Sequence, residues 1–381
     1  MKLVFASDSF KGTLSSARIA ELLTQAAHDV LGGCETVSIT AGDGGEGTAE
    51  AVIEACGGAK KNVRVHDPLM NNITAYYGQL SNDTAIIEMA AASGLVLVPE
   101  EKRDPLLTSS YGTGELVRQA LEDGNRNIII AIGGSATNDG GMGFDKAMGI
   151  RFTDASGNEL NGTGADLEKV VHINMDGLIP EARNALFTVM CDVTNPLCGP
   201  NGAAYVYGRQ KGADDAGLAR LDAGMVHYRD IIKNEFGIDP DKIQGAGAAG
   251  GLGAALRVFL NAEMRSGIET VLDLIGFDRI IKDADLIVTG EGRLDGQSLN
   301  GKTVKGIGER AKAVGIPAIA LCGCVGEGYK GIFDHGINHV WTTAEDGMEL
   351  SEAMRRAEEL YMKAARKMFA EWKRKDNDRW E

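Results

Sequence analysis

Short runs of aliphatic and β-branched residues recur at positions 3–6, 127–132, 187–191, 286–289 and 318–322, each ending in a loop that carries Gly or Asp. Such runs, bounded by turn residues, are the pattern of strands buried on both faces. Apolar positions at helical spacing predict helices over 15–30, 114–122, 303–314 and 350–369. Strands alternating with helices imply parallel sheets, whose ligands bind beyond the carboxyl ends of the strands. Between these segments the pattern changes. Residues 73–80 and 84–89 are adjacent strand-like runs joined by Ser81-Asn82-Asp83, a hairpin signal, so a mixed sheet is expected to start there. Tyr76 and Tyr77 then belong to a strand, and the charged tail 363–381 to a solvated helix end.

A length of 381 residues favours two domains, and 44% hydrophobic with 24% charged residues is ordinary for a globular protein. No apolar run approaches a membrane span, and residues 1–6 are too short for a signal-peptide core, so a cytoplasmic protein without membrane or nucleic-acid partners is expected. The net charge of -15 supports the second exclusion, because a nucleic-acid binder needs a basic stripe. An acidic protein that handles anions must concentrate positive groups locally. The six cysteines are scattered without a CxxC pair, which fits reduced thiols. Cys322 and Cys324 flank Gly323, but nothing near them in sequence supports a redox role. His335 and His339 have metal-ligand spacing but lack a third ligand nearby.

Glycine, at 51 residues, is nearly double its usual share of ~7% and clusters at segment boundaries. Two of the clusters imitate nucleotide motifs. Gly296 to Thr303 satisfies GxxxxGK[ST], yet six residues separate it from the strand that a P-loop must follow directly. Lys302 can still meet a phosphate as a point charge. Gly245-Ala-Gly247-Ala-Ala-Gly250 satisfies GxGxxG, with Glu269 near the distance for a ribose contact, but no strand precedes it. A glycine-rich helix start packed close to a neighbouring backbone explains it as well. A P-loop kinase of another hydroxy acid, an NAD-dependent oxidoreductase and a non-catalytic sugar-acid binder are therefore the rival classes.

The remaining loops combine glycine with carboxylates, amides and hydroxyls, as phosphoryl transfer requires. Asp8-Ser9-Phe10-Lys11 follows the first strand, and Lys11 suits a phosphate or a carboxylate. Gly42 to Thr48, with Asp43, Gly44 and Gly45, opens a helix whose N–H groups can face an anion. The loop 133–141 follows a strand directly and offers Gly134, Ser135, Thr137 and Asn138 to phosphates. Asp192 and Asn195 follow another strand, and Glu291, Arg293 and Asp295 a further one. Carboxylates there can hold magnesium or accept a proton from a substrate hydroxyl.

Taken together, the blocks DSFKGTLSS from Asp8, GDGGEGT from Gly42, AAASGL from Ala90, RDPLLTSSYGTGEL from Arg103, GGSATNDGGMG from Gly133, CDVTNPLCGPNGA from Cys191, GAGAAGGLGAAL from Gly245 and GEGRLDGQSLNGKT from Gly290 resemble the bacterial glycerate kinase family across the whole chain. The resemblance implies an ATP- and Mg2+-dependent kinase of D-glycerate giving 2-phospho-D-glycerate, or 3-phosphoglycerate, in glycerate catabolism. It implies an α/β fold of two domains: a Rossmann-like domain from residues 1–70 and 285–381, and an inserted mixed-sheet α/β domain from 71–284. The active site would lie in the cleft between them. On this resemblance Asp192 is the base for the glycerate hydroxyl, and Lys11 and Arg293 neutralise phosphate and carboxylate. Asp43, Glu291 and Asp295 hold magnesium, and Asp8, Ser9, Gly44, Gly45, Gly134, Ser135, Thr137, Asn138, Asn195, Ser298 and Lys302 bind substrate or nucleotide. Ser7 and the pair Ala41-Gly42 depart from the family pattern beside two of these loops. A homo-oligomer is compatible with the resemblance.

Overall fold

The computed structural model describes residues 1–10, 12–39, 47–80, 83–299, 302–345 and 347–376. The chain divides into two compact units, Met1–Asp43 with Gly267–Glu381, and Gly44–Ser266. The division at 43/44 precedes the expected 70/71 because the strand Ala59–His66 pairs along its length with Asn72–Gln79 in the second unit's sheet. Its sequence, AKKNVRVH, is largely exposed and charged, as suits a sheet edge, and carries no apolar signature. The division at 266/267 precedes 284/285 because Gly267–Leu274 buries Ile268, Val271 and Leu272 within the first unit. Arg310 on the helix Thr303–Val314 ties that segment down through Glu269 and Asp273, both at 2.6 Å.

The first unit is built on a five-stranded parallel sheet with the spatial order Glu35–Ser38, Lys2–Ser7, Leu286–Gly290, Ala318–Cys322, Ile337–Thr342. Leu286–Gly290 and Ala318–Cys322 are buried at every position, which is why they read as unbroken apolar runs. Leu3, Phe5, Leu286, Val288 and Leu321 share one core with Ile19 and Leu23 of Ser16–Leu31 and Tyr361 and Phe369 of Ala357–Asp376. Ser15 caps the first of these helices by accepting from the Arg18 N–H at 3.1 Å. Val4, Ala6, Ile287 and Ala320 alternate to the other face and are buried too. The helix expected over 350–369 is interrupted at Arg356, giving Leu350–Arg355 and Ala357–Asp376.

The second unit holds a six-stranded mixed sheet: Glu263–Arg265, Leu186–Met190, Asn127–Ala131, Thr84–Glu88, Asn72–Gln79, Ala59–His66. The first four run parallel and the last two antiparallel, so the expected mixed sheet is present. Ser81 and Asn82 of the predicted hairpin connection lie outside the described residues. Ile128 and Ile130, Val189 and Leu256 belong to one core with Phe144, Phe152 and Tyr228. Among the described residues no helix is long and apolar enough to cross a membrane.

Candidate functional site

In the first unit the chain leaves Lys2–Ser7 toward one sheet edge and resumes at Leu286–Gly290 toward the other. These two neighbouring strands mark the switch point of the sheet, where doubly wound folds place their ligands beyond the carboxyl ends. The loops that follow them are the ones carrying Asp8, Ser9, Glu291, Arg293 and Asp295. The Asp8 N–H donates to the Gly290 carbonyl at 2.9 Å, and the Ser9 N–H to Asp8 Oδ1 at 2.6 Å. A Cβ at Gly290 would run into the Leu321 carbonyl, so the acidic loop leaves the sheet only from glycine. Its main chain is then stitched to the next strand's loop, Gly323 and Cys324 donating to the carbonyls of Glu291 and Gly292 at 3.1 Å each.

Glu291 is the centre of this group. It is 9% exposed, and its buried Oε1 has no hydrogen-bond partner among the described residues. Burial pushes its carboxyl up from the ordinary value; Ser298 and the Lys302 charge oppose the shift, while the charges of Asp8 and Asp295 add to it. Five residues singled out from sequence, Asp8, Glu291, Asp295, Ser298 and Lys302, thus act on one another. The buried Ser298 hydroxyl accepts from the Asp295 N–H at 3.1 Å, and Arg293, largely exposed, stands 3.2 Å from Asp295. Lys302 precedes Thr303–Val314, but the short strand Arg293–Leu294 and the turn Gly296–Leu299 separate it from Leu286–Gly290, which is not P-loop geometry. Lys11, Asp43, Gly44 and Gly45 lie outside the described residues. The Cys322 thiol, wholly buried, is pushed up to about 12, and the cysteines are free, so the pair around Gly323 forms no disulfide. A hollow of about 610 Å³ in this unit lies at the opposite, amino-terminal strand ends by Pro317 and Ile337, apart from this chemistry.

In the second unit the loop 133–141 follows the central strand Asn127–Ala131, and the loop with Asp192 follows its parallel neighbour Leu186–Met190. Only Gly133 and Gly134 of the first loop reach the surface to any extent. The Gly134 N–H has no backbone acceptor among the described residues, and Gly133 with Gly134, the latter held at φ 74, forms a turn that carries the Ser135 N–H back toward the strand end. The rest turns inward. Asp139, wholly buried, accepts from the Ser110 N–H and hydroxyl, both at 2.7 Å, and from Gly141 and Gly143 at 3.1 and 3.2 Å. Thr108 donates to the Ala136 carbonyl at 2.9 Å.

Thr137 and Asn138, expected to offer donors to a ligand, are fully buried, and the Thr137 hydroxyl and Asn138 amide have no partners among the described residues. Asn195 is half-buried and engaged: it donates to the Asn201 carbonyl at 2.9 Å and accepts from Tyr207 at 2.7 Å. Asp192 is exposed. The GxGxxG imitation proves to be backbone packing, since a Cβ on Gly250 would overlap the Thr137 carbonyl, and Gly140 donates to the Gly250 carbonyl at 2.9 Å. The helix opened by the second glycine cluster is Thr48–Ala55, and its first N–H groups are already taken: Glu88 accepts from Gly47 and Ala49 at 3.1 and 3.2 Å.

Two participants were not singled out from sequence. Glu88 ends the strand Thr84–Glu88, and Lys211 lies buried beneath the loop 133–141, donating to Ser135 Oγ at 2.8 Å and the Thr137 carbonyl at 2.6 Å. Only the glycines around Lys211, Gly208 and Gly212, hint at a tight turn.

A mixed sheet with a glycine loop at the end of its central strand, and a parallel sheet with a buried acidic group at its switch point, define an α/β enzyme of group transfer. The model of the glycerate kinase family matches residues 3–373. The glycerate 2-kinase of Escherichia coli (strain K12) is 45% identical over 372 residues, 97% of each chain. The glycerate kinase of Halalkalibacterium halodurans is 44% identical over 366 residues, 96% of each. A solved structure, a candidate glycerate kinase 2 from Salmonella typhimurium LT2, matches with a TM-score of 0.86 at 41% identity over 99% of both chains. The chain belongs to the glycerate kinase family, and it is an enzyme that transfers a phosphoryl group to an alcohol.

Proposed function

We propose that the enzyme phosphorylates a hydroxyl of D-glycerate with ATP and Mg2+, in the cytoplasm, giving 2-phospho-D-glycerate for glycerate catabolism. The observation that carries this reading is the group around Glu291: carboxylates, a hydroxyl and a lysine concentrated at the switch point of a parallel sheet. Carbon 2 is favoured by the Escherichia coli relative, a glycerate 2-kinase.

The donor set fits magnesium. Glu291 and Asp295 offer hard oxygen ligands, and Glu291 Oε1 is a buried oxygen without a partner. Among the described residues no group of three or more His, Cys, Asp or Glu side chains is placed to hold a metal ion. Magnesium commonly takes a few carboxylates and completes its shell with phosphate oxygens and water. Glu291, Asp295 and Asp43 would hold it, where it would neutralise charge on the phosphates. Asp192 accepts the proton of the attacking hydroxyl; its exposure leaves it accessible to a substrate. Arg293 and Lys11 offset the charge of the phosphate and the substrate carboxylate, with Lys302 as a further point charge. Gly134, whose N–H has no backbone acceptor among the described residues, and the adjoining Ser135 face nucleotide phosphates.

The test is an ATP assay with D- and L-glycerate and other hydroxy acids, with and without magnesium, followed by phosphorus NMR of the product. Phosphate on carbon 2 of D-glycerate is the expected result. Phosphate on carbon 3 removes the regiochemical part, and no ADP release with either enantiomer removes the whole reading.

A further inference from the structure

Lys211 is 2% exposed and ends the tight turn Arg209–Lys211, ahead of Gly212 at φ 103. Its ammonium donates to Ser135 Oγ and to the Thr137 carbonyl, both uncharged acceptors. Among the described residues no carboxylate forms an ion pair with it. A buried ammonium without a directly paired carboxylate costs stability that a methionine of similar length would not. Asp139, on the loop side, is the charged group that faces it. Arg103, whose backbone packs on Gly212, turns its side chain to the Val98 carbonyl.

The cation therefore sits beneath the turn residues Gly134 and Ser135. We propose that Lys211 is a positioning residue for an anionic phosphate group on Gly134 and Ser135, fixing the loop by its two hydrogen bonds and supplying the positive charge under it. This rests on the reading that the loop 133–141 takes ATP phosphates. It also answers how a protein of net charge -15 concentrates positive charge at an anion site without exposing it.

Burial pushes the Lys211 ammonium down to about 7, with Asp139 resisting the shift. In the free enzyme the charge is then present below that pH and lost above it, so kcat/KM for ATP should decline as pH rises past about 7. The experiment compares the intact enzyme with Lys211→Met and Lys211→Arg over pH 6–9, with ATP and D-glycerate as probes. Lys211→Met is expected to raise KM for ATP by about tenfold or more, to leave KM for D-glycerate within about twofold, and to abolish the alkaline decline. Lys211→Arg, charged throughout, should bind ATP well and also lack the decline. Should neither variant fold, Ser135→Ala keeps the lysine and removes one acceptor; it should raise KM for ATP about threefold, with D-glycerate unaffected. An unchanged KM for ATP in the folded variants, or a decline that persists in Lys211→Met, overturns the role of Lys211. Backbone amide NMR separates that outcome from a failure of the underlying reading. If the Gly134 and Ser135 signals shift on adding ATP, the loop reading stands whatever Lys211 does; if they do not, both fall.

Discussion

The loop 133–141 and the loop from Glu291 to Asp295 occupy equivalent places, each at the carboxyl end of a central parallel strand, yet they are built in opposite ways. The first is fixed from beneath by Asp139, Thr108, Lys211 and the close backbone of Gly250, and shows the surface little besides glycine. The second is held by main-chain bonds to Gly323 and Cys324, and leaves its carboxylates to repel one another. A rigid loop presents backbone dipoles to an anion; a loop of mutually repelling acids invites a cation. Phosphoryl transfer needs both, because it rests on positioning and on neutralising charge. The difference implies that substitutions in the acidic loop alter activity alone, whereas those under the glycine loop alter stability as well.

The sharpest way to break this contrast is at the exposed carboxylate. Asp192→Asn should lower turnover by roughly 10²–10⁴-fold while leaving KM for D-glycerate and the melting temperature near those of the wild type. Near-normal turnover would remove Asp192 as the base. Glu291→Gln should lower kcat by about 10²-fold without loss of stability, since the amide relieves a buried carboxylate crowded by Asp8 and Asp295. Because burial raises Glu291, its ionised form is lost on acidification sooner than an ordinary glutamate's, so wild-type activity should begin to fall above the usual carboxylate range. A clear drop in melting temperature for Glu291→Gln would make the acidic loop structural after all. Asp139→Ala tests the other loop: it strands the Ser110, Gly141 and Gly143 donors in the interior and should cost roughly 3–5 kcal/mol in denaturant unfolding, with activity falling alongside.

What was legible in the sequence follows from the same physics. Strands buried on both faces must be apolar throughout, so Leu286–Gly290 and Ala318–Cys322 announce themselves, and with them the loops at their ends. The edge strand Ala59–His66 has one exposed face and reads as polar coil, which displaced the expected unit boundary. Residue type gives chemical capacity but not direction: Thr137 and Asn138 have suitable donors for a phosphate yet point into the interior. Lys211 shows the converse, a residue that composition places on the surface and the fold places beneath a loop. Glycine motifs are ambiguous for a related reason, because a close backbone, as at Gly250, demands glycine as strictly as a phosphate does.

The smallest expected effect sharpens the contrast just beyond the rigid loop, on the helix that follows it. Asp145, on the helix Met142–Ala147, is wholly buried like Asp139, but neither of its carboxyl oxygens has a partner among the described residues. Burial, with the Asp139 charge added, pushes its carboxyl well above the ordinary value, and the unpartnered Tyr228 phenol is pushed up by burial beside both acids. A carboxyl whose folded value is raised contributes stability in full below its unfolded value near 3.9, and that contribution is lost as pH rises toward the folded value. Burial raises Asp139 as well, but the donors from Ser110, Gly141 and Gly143 oppose that shift, whereas nothing among the described residues opposes it at Asp145, which costs stability increasingly across the neutral range. Asp145→Asn keeps the shape and removes the ionisation, so it should raise stability by about 1 kcal/mol at pH 7, with a gap over the wild type that widens from pH 5 to pH 8. Melting curves across that range measure it. A gap independent of pH would mean that Asp145 already has a partner for its proton, and that the two buried acids are held alike.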